Sequence, residues 1–252
     1  MSVHPLLAVI PARGGSKGLE GKNIKPFFGL PLIAHSIKLA QMSSLIEQCI
    51  ISTDSSEIAD VARAHGGNVP FMRPPDLALD DSPMWPTLRH ALLQMEEIEN
   101  RRFQSLLLLD PTSPGRTPED IAAAVALLDA DPQANGVVAV SEPHFNPRWV
   151  CVEERNGYMV PSFDSHAYTR RQDVPVTYRI NALLYLWRRD FLINHLAAPP
   201  MDQARYRMLV VPEDRAIHID ELRDFKAAEY AVRSGDVRLP WITNPLEGSC
   251  QS

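Results

Sequence analysis

The chain has 252 residues, a hydrophobic content of 45%, a charged content of 22% and a net charge of −6. These values are typical of a globular protein and give no overall attraction to nucleic acid or to an anionic membrane. The length exceeds one average domain, so we expect one large core that carries a smaller lobe. Any anionic ligand must therefore be bound by a local cluster of charge.

Targeting and compartment signals point to the cytoplasm. The apolar run near the N-terminus lacks a preceding basic region and is too short for a signal peptide, and no stretch is long enough to span a bilayer. Cys49, Cys151 and Cys250 are scattered without CxxC spacing, which favours a reducing compartment over structural zinc. We expect a cytoplasmic protein with no nucleic-acid or membrane partner.

The first 140 residues alternate short apolar runs with segments of helical period. The runs predict strands at residues 6–10, 49–53, 68–71, 105–109 and 136–140, and the periodic segments predict helices at 32–42, 55–64, 86–98 and 118–128. Asp54 is the expected cap of the second helix, with Glu57 three residues later, and Thr117 is the expected cap before Pro118. This alternation favours a mostly parallel sheet that is covered on both faces.

The alternation lapses between residues 141 and 177, where prolines, arginines and a possible hairpin (149–152 and 158–161) interrupt it. It resumes with strands at 182–187 and 208–211 and a helix at 221–232, and we expect a loose tail after residue 239. The predicted fold is a three-layer α/β fold, with residues 1–140 and 178–238 as its core, 141–177 as the small lobe and 239–252 as the tail. Ligands of such folds bind at the carboxyl ends of the strands.

A glycine-rich, basic loop directly follows the first predicted strand. Residues 11–23, PARGGSKGLEGKN, include four glycines, which let backbone N–H groups approach an anion, while arginine and lysine supply charge to phosphate oxygens. The spacing matches neither the P-loop nor the G-x-G-x-x-G fingerprint, which disfavours a P-loop kinase and an ordinary dinucleotide dehydrogenase. The loop predicts a triphosphate site, and the alternative is a surface turn that happens to be rich in glycine and charge.

The segment IPARGGSKGLEGKNIKPFFGLPLI resembles the opening of the acylneuraminate cytidylyltransferase family, the synthetases that make CMP-sialic acid and related CMP-activated acidic sugars. The resemblance continues through STDSSEIADVARAHGG, VPFMRPPDLALDDS, LLLLDPTSPGR, RRQDVP, YRINALLYLWRRD and IHIDELRDF, so it extends from residue 6 to about residue 228. It implies a nucleotide-diphospho-sugar transferase-like fold and a reaction of CTP with an acidic nine-carbon sugar that releases pyrophosphate. It also implies magnesium or another divalent cation, and a homodimer formed through residues 141–177.

The resemblance further implies roles for individual residues. The catalytic residues would be Arg13, Lys17 and Lys22, and the nucleotide would contact Arg13, Gly14, Gly15, Ser16, Asn23, Arg73 and Ser82. The sugar would contact Asp110, Thr112, Ser113, Arg171 and Asn181, with the planar fork of Arg171 on its carboxylate. The metal would be bound by Asp220 and His218, which are two residues apart and would share one face of a strand.

Two of these positions depart from the family pattern. Asp110 stands where the family usually has glutamine, and a carboxylate there repels an acidic sugar unless a cation intervenes. The side chain could face an amine on the sugar, bind the metal or contact solvent. His218 stands in place of the first of two metal-binding aspartates. Two alternatives stay open: a relative that uses another nucleotide or sugar, such as a GDP-sugar pyrophosphorylase, and a non-catalytic nucleotide-binding protein.

Overall fold

The computed structural model describes residues 5–15, 18–163 and 168–242. Its strands are β1 (Leu6–Pro11), β2 (Pro26–Phe27), β3 (Leu30–Pro31), β4 (Gln48–Ser52), β5 (Ser105–Leu108), β6 (Gly136–Ser141), β7 (Val152–Arg155), β8 (Tyr158–Pro161), β9 (Arg179–Arg188) and β10 (Tyr206–Val210). Its α-helices are α1 (Leu32–Met42), α2 (Ser56–Ala64), α3 (Met84–Glu99), α4 (Pro118–Asp129), α5 (Pro147–Val150), α6 (Arg189–Asn194) and α7 (Leu222–Ser234). The long helices confirm the predicted ones to within two residues at each end.

Six strands form the central sheet in the order β10–β6–β9–β5–β1–β4. β1 is parallel to β4 and β5, and β6 is parallel to β10, whereas β9 runs antiparallel to both of its neighbours. Five strands therefore share one direction, which confirms the predicted mostly parallel sheet. A register shift between Val138 and Val140, together with Ala182 at a φ of 59°, marks a bulge where β9 pairs with β6.

Both faces of this sheet are covered, which explains why its central strands consist of unbroken apolar runs. All residues of β1 are buried. Leu6, Ala8 and Ile10 belong to a cluster with residues of α1, α2 and α4, whereas Leu7 and Val9 belong to one with residues of α3 and α6. Because successive side chains of a strand point to opposite faces, β1 contributes to both layers of the core. The predicted three-layer architecture is confirmed.

A third apolar cluster supports the chain segment 217–220, which precedes α7. Ile219 is fully buried there with Phe27 and Phe225. The segment is not the predicted strand, although Ile219 N donates one hydrogen bond to the carbonyl oxygen of Thr112 at 2.9 Å. Burial of Ile219 leaves the flanking residues 218 and 220 exposed on one side of the segment. Packing, rather than pairing in a sheet, brings those two side chains together.

Two predictions about the connections of the first half are wrong. Residues 68–71 form no strand, and Asn68 makes only an isolated bridge to Ile50. The cap of α2 is Ser55, whose Oγ accepts a hydrogen bond from Ile58 N at 3.3 Å. Asp54 lies one residue too early to cap this helix, and its carboxylate contacts the glycine loop instead.

Two predictions about the second half also need correction. Residues 149 and 150 belong to α5, because Pro147 opens a short helix that Asn146 caps, so the hairpin begins only at β7. The start of the tail is packed rather than loose, since Trp241 Nε1 donates to Nδ1 of the buried His35 at 2.9 Å. Residues 243–252 lie outside the described residues.

Residues 141–177 contain the hairpin of β7 and β8, every residue of which is at least partly exposed. This segment carries several exposed apolar side chains, namely Phe145, Trp149, Val150, Val152, Tyr158, Met159, Phe163 and Val176. The boundaries of the lobe and its role in dimerisation stay predictions. Among the described residues, no helix has both the length and the apolar character needed to cross a membrane.

Candidate active site

A cavity of about 410 Å³ opens where β1 and β5 end, at the carboxyl edge of the sheet. This volume suits a small-molecule ligand. Four stretches of chain supply its lining, namely Pro11, Arg13, Gly18, Lys22 and Asn23; Arg73, Leu77, Leu79, Asp80, Ser82, Met84 and Thr87; Asp110 and Thr112; and His218, Asp220 and Glu221. Most of the residues predicted for nucleotide, sugar and metal therefore meet in one place.

The glycine loop brings two cations to the cavity. Nη1 of Arg13 lies 2.6 Å from Oδ1 of Asp80, and Nζ of Lys22 lies 2.9 Å from Oδ1 of Asp220. Asn23 is buried, and its Nδ2 donates to the carbonyl oxygen of Arg13 at 3.1 Å, which holds the loop to itself. The predictions for Ser16 and Lys17 fall outside the described residues.

Two glycines show how the loop is placed against its neighbours. A Cβ added to Gly18 would lie 2.6 Å from the carbonyl oxygen of Asp220, so only glycine permits this close approach. The N–H of Gly14 donates to Oδ1 of Asp54 at 3.0 Å. Gly14 and Gly15 are exposed and lie beside the cavity rather than in its lining.

Arg73 supplies a third, deeply placed cation. It is 5% exposed, and its guanidinium donates to Oγ and to the carbonyl oxygen of Ser52 at 3.1 and 2.5 Å. Burial lowers the pKa of Arg73 to about 10, against the opposing effect of the Asp54 carboxylate. The guanidinium thus stays charged at neutral pH. Ser82 lines the same side, and its Oγ donates to the carbonyl oxygen of Asp76 at 3.0 Å.

The loop after β5 forms the opposite wall. The backbone N–H and Oγ1 of Thr112 both donate to Oδ1 of Asp110, at 3.0 and 2.8 Å. Arg116, which is 1% exposed, donates to the carbonyl oxygens of Asp110 and Leu183 at 2.7 and 3.0 Å. A buried guanidinium therefore fixes the backbone from which the Asp110 carboxylate faces the cavity.

His218 and Asp220 close the cavity from the segment before α7. Nε2 of His218 lies 3.0 Å from Oδ2 of Asp220, and Nδ1 lies 3.2 Å from Oγ of Ser113. Partial burial alone would raise the pKa of Asp220, but the hydrogen bond from Lys22 and the nearby imidazole outweigh it and hold the pKa below its ordinary value. Asp220 is thus an ionised carboxylate between two nitrogen donors.

Three of the residues predicted to bind the sugar do not line this cavity. Ser113 is fully buried behind it, in contact with His218. Asn181 is 1% exposed, and its amide binds within the protein, to Oγ of Ser141 at 2.8 Å and to the N–H of Leu183 at 3.1 Å. Arg171 is exposed and lines a separate, shallow cavity of about 170 Å³ in the lobe.

The acidic and imidazole groups of the cavity are the candidate ligands of a metal ion. Within the described ranges, no group of three or more histidine, cysteine, aspartate or glutamate side chains is arranged to hold a metal ion. Magnesium, however, is commonly bound through one or two carboxylates together with substrate phosphates and water. The donor set around Asp220 fits a magnesium ion that a triphosphate carries in, and it does not form a complete site of protein ligands alone.

Sequence reasoning missed three residues that organise the site. Asp54 binds the glycine loop, Asp80 binds Arg13, and Arg116 fixes the backbone of Asp110. All three lie in segments that resemble the family, and this resemblance was the one signal in the sequence that pointed to them. Their roles depend on partners far away in sequence, so neither periodicity nor spacing could assign them.

Comparison with known proteins gives the class of this chain. The cytidylyltransferase family matches residues 7–237, so the chain belongs to that family. A solved CMP:2-keto-3-deoxy-manno-octonic acid synthetase complexed with CTP shares the fold, with a TM-score of 0.70 at 19% identity over 92% of this chain and 100% of the other. A 4-diphosphocytidyl-2C-methyl-D-erythritol synthase gives a TM-score of 0.64 at 12% identity, over 91% and 98% of the two chains.

Similar curated proteins come from bacteria. The chain is 36% identical to the post-translational flagellin modification protein B of Campylobacter coli, over 92% of this chain and 97% of that protein. It is 37% identical to the CMP-N,N'-diacetyllegionaminic acid synthase of Campylobacter jejuni, over 90% and 94% of the two chains. It is 40% identical to the synthase of the same name from Legionella pneumophila, over 72% and 77%.

Proposed function

We propose that the protein transfers CMP from CTP to an acidic nine-carbon, or nonulosonic, sugar and releases pyrophosphate. The observation that carries the proposal is one cavity at the carboxyl edge of the sheet, in which three cations face the loop after β5. Arg13, Lys22 and Arg73 provide the positive charge that a triphosphate requires. A sugar hydroxyl attacks the α-phosphorus and loses its proton to solvent, and a new P–O bond forms. The bond between the α-phosphorus and the bridging oxygen breaks, and pyrophosphate leaves with that electron pair.

The chain's own residues act by holding and neutralising, without a covalent intermediate. Lys22 and Arg13 are paired with Asp220 and Asp80 before substrate arrives, so both cations stand ready at the cavity. In the complex they bind phosphate oxygens and offset the charge that grows on the leaving pyrophosphate. Arg73 and Asn23 fix the nucleotide side of the cavity, which aligns the α-phosphate with the incoming hydroxyl. The predicted roles of Lys17, Ser16, Gly14 and Gly15 remain part of this proposal.

Magnesium is the proposed cofactor. Asp220 would hold it as the carboxylate ligand, and His218 is the second residue that the sequence assigned to it. When bound, the ion supplies positive charge to phosphate oxygens. A single protein carboxylate predicts that the metal enters together with CTP rather than alone.

The first sugar to test is one of the N,N'-diacetyllegionaminic type. Two relatives named as synthases of this CMP-sugar are 37% and 40% identical to the chain, whereas pseudaminic acid cytidylyltransferase of Campylobacter jejuni is 26% identical. An N-acylneuraminate cytidylyltransferase of Escherichia coli is 28% identical. Asp110 and Thr112 would contact the sugar at the cavity, and Asp110 in place of glutamine favours a sugar substituent that donates hydrogen bonds.

The proposal also includes three predicted sugar residues that do not line the cavity, namely Arg171, Ser113 and Asn181. Ser113 and Asn181 would act on the sugar side through the backbone and side chains that they hold. In a homodimer formed through residues 141–177, Arg171 would bind the carboxylate of the sugar that occupies the site of the partner subunit. The exposed apolar side chains of that lobe are suited to such an interface.

A screen of pyrophosphate release tests the function. The protein is mixed with CTP, GTP, UTP or ATP, with Mg²⁺, and with N,N'-diacetyllegionaminic, pseudaminic or N-acetylneuraminic acid. We expect turnover with CTP, and the highest kcat/KM with the legionaminic-type acid. Turnover of another triphosphate with negligible turnover of CTP would reject the proposal, and CTP binding without turnover would indicate a non-catalytic relative. Solution mass by light scattering tests the homodimer.

A further inference from the structure

The imidazole of His218 joins the two walls of the cavity. Its Nε2 lies 3.0 Å from Oδ2 of Asp220, and its Nδ1 lies 3.2 Å from Oγ of Ser113 and 3.3 Å from Oγ1 of Thr112. We infer that His218 is a positioning residue, held by Ser113, that orients the Asp220 carboxylate for the metal and nucleotide and does not bind the metal itself. This inference rests on the proposed function for its consequence, while its geometry stands on the contacts alone.

The available protons decide which way each hydrogen bond runs. Oγ1 of Thr112 lies 2.8 Å from Oδ1 of Asp110, which can only accept, so the single hydroxyl proton of Thr112 is used there. Ser113 is fully buried, and its hydroxyl needs a partner inside the protein. Oγ of Ser113 therefore donates to Nδ1 of His218, which leaves the ring proton on Nε2, where it points at Asp220.

Both nitrogens of the imidazole are then committed to protein groups. A nitrogen can ligate a metal only through a free lone pair, but Nδ1 accepts from Ser113 and Nε2 carries the proton. The Asp220 carboxylate is held at both oxygens, by Lys22 on Oδ1 at 2.9 Å and by His218 on Oδ2. A carboxylate fixed on two sides presents its remaining lone pairs in one orientation. Hydrogen-bond partners behind a metal ligand typically change metal affinity by about 10- to 100-fold when they are removed.

The same chain of contacts links the sugar wall to the metal wall. Asp110 contacts Thr112, both Thr112 and Ser113 lie at hydrogen-bond distance from Nδ1 of His218, and the backbone of Ile219 also donates to Thr112. In place of a direct contact with the metal, a histidine at this position therefore makes a hydrogen bond that orients the metal ligand Asp220. Its expected effect is to set the geometry of Asp220 without adding a protein ligand.

The tautomer of His218 tests the geometry without any turnover. In protein labelled with ¹⁵N at histidine, NMR of the nucleotide-free enzyme should show the proton of the His218 ring on Nε2. The Ser113→Ala variant should alter the shift of Nδ1, because that nitrogen loses its donor. On addition of Cd²⁺ with CTP, no ¹⁵N–¹¹³Cd coupling should appear at His218. A proton on Nδ1, or a coupling to the metal, would overturn the inference.

Binding of Mn²⁺ in the presence of CTP, measured by electron paramagnetic resonance, tests the consequence. We expect His218→Ala to weaken Mn²⁺ by about 10-fold, and Ser113→Ala to weaken it in the same direction. His218→Gln should stay within about 3-fold of wild type, because its amide can both donate to Asp220 and accept from Ser113. His65→Gln, at the end of α2 away from the cavity, is the matched control and should bind Mn²⁺ normally.

The two failures are distinguishable. If the pyrophosphate screen shows no cytidylyl transfer, the proposed function fails while the tautomer is still measured in the nucleotide-free protein. If turnover is normal but Ser113→Ala leaves Mn²⁺ affinity unchanged, or if His218→Gln weakens Mn²⁺ as much as His218→Ala, the positioning role fails and the proposed function stands.

Discussion

The predicted substrate contacts of the cavity differ from the one in the lobe in how they are held before substrate binds. At the cavity, Arg13, Lys22 and Arg73 are each bound to an oxygen of the protein before any ligand arrives. In the lobe, Arg171 is exposed, and the hairpin of the same segment shows apolar side chains to solvent. In the proposed mechanism one chain assembles the nucleotide side by itself, whereas the carboxylate of the sugar would be bound by Arg171 of a partner subunit. This contrast predicts that variants of the two regions fail in different ways.

The largest effect is expected from Lys22→Ala. The side chain of Lys22 is 13% exposed and lines the cavity, where its ammonium binds Asp220. Loss of one such charge in a prearranged site costs about 10²- to 10³-fold in rate. We expect kcat/KM for CTP to fall by that amount in a pyrophosphate-release assay. Lys38→Ala removes a lysine that binds Gln41 on the surface of α1 and serves as the control. A fall of less than about 3-fold would remove Lys22 from the catalytic groups.

A second prediction concerns the packing of His35 in α1 against Phe27 and Trp241. His35 is fully buried, its Nε2 donates to the carbonyl oxygen of Phe27 at 2.8 Å, and its Nδ1 accepts from Trp241. Burial lowers the pKa of His35 from 6.5 to about 4. Between these two pH values the unfolded chain binds more protons than the folded one, so the free energy of unfolding falls as the pH falls. The full shift corresponds to about 3 kcal/mol.

The measurement is urea unfolding at a series of pH values between 6.5 and 4. The His35→Gln variant lacks the titrating group, so the difference between wild type and variant isolates the contribution of this histidine. We expect a flatter dependence in the variant, whatever its stability at neutral pH. Parallel curves for the two proteins would show that His35 is accessible to protons in the folded state.

The lobe is tested by Arg171→Ala. If Arg171 grips the sugar carboxylate, its loss should raise KM for the sugar by about 10- to 30-fold, which corresponds to a charge-assisted hydrogen bond of about 2 kcal/mol. KM for CTP should stay within about 2-fold of wild type, because the nucleotide side is built separately. Arg170→Ala is the matched control, since this neighbouring arginine pairs with Asp173 at 2.8 Å.

A mixing experiment tests whether Arg171 acts in the site of the partner subunit. Lys22→Ala and Arg171→Ala subunits are unfolded together and refolded into mixed dimers. If each site takes Lys22 from one subunit and Arg171 from the partner, half of the sites in a mixed dimer regain both residues, and activity reappears. No recovery, despite mixed dimers shown by mass, would place both residues in the same subunit's site.

The sequence predicts the fold better than it predicts the contacts of the site. The helix at 32–42 matches α1, because its period reflects the burial of its apolar side chains between Leu32 and Ala40. The loops after β1 and β5 are correctly assigned to one edge, because the carboxyl ends of parallel strands converge. By contrast, Asp54 resembles a helix cap by spacing, and only the folded chain brings it to Gly14, 40 residues away. Arg116 likewise joins partners on α1 and β9 that no local pattern connects.

The smallest expected effect is on KM for CTP and comes from the ion pair between Asp80 and Arg13. Asp80 holds Arg13 at 2.6 Å, and the two side chains are 47% and 30% exposed. In the proposed mechanism the triphosphate binds Arg13, so CTP would have to displace the Asp80 carboxylate from this guanidinium. Partly exposed ion pairs of this kind contribute about 0.2–1 kcal/mol. Asp80→Asn should therefore lower KM for CTP by about 2- to 5-fold, with kcat nearly unchanged.

The neighbouring carboxylate provides a matched control, because Asp81→Asn makes the same change of charge in the same exposed loop. If both variants lower KM equally, the effect comes from the overall field of the loop and not from the pair with Arg13. If Asp80→Asn raises KM, the carboxylate helps to hold the nucleotide, through the metal or the ribose. A lower KM in Asp80→Asn alone would show that the cavity binds CTP by replacing an anion of its own.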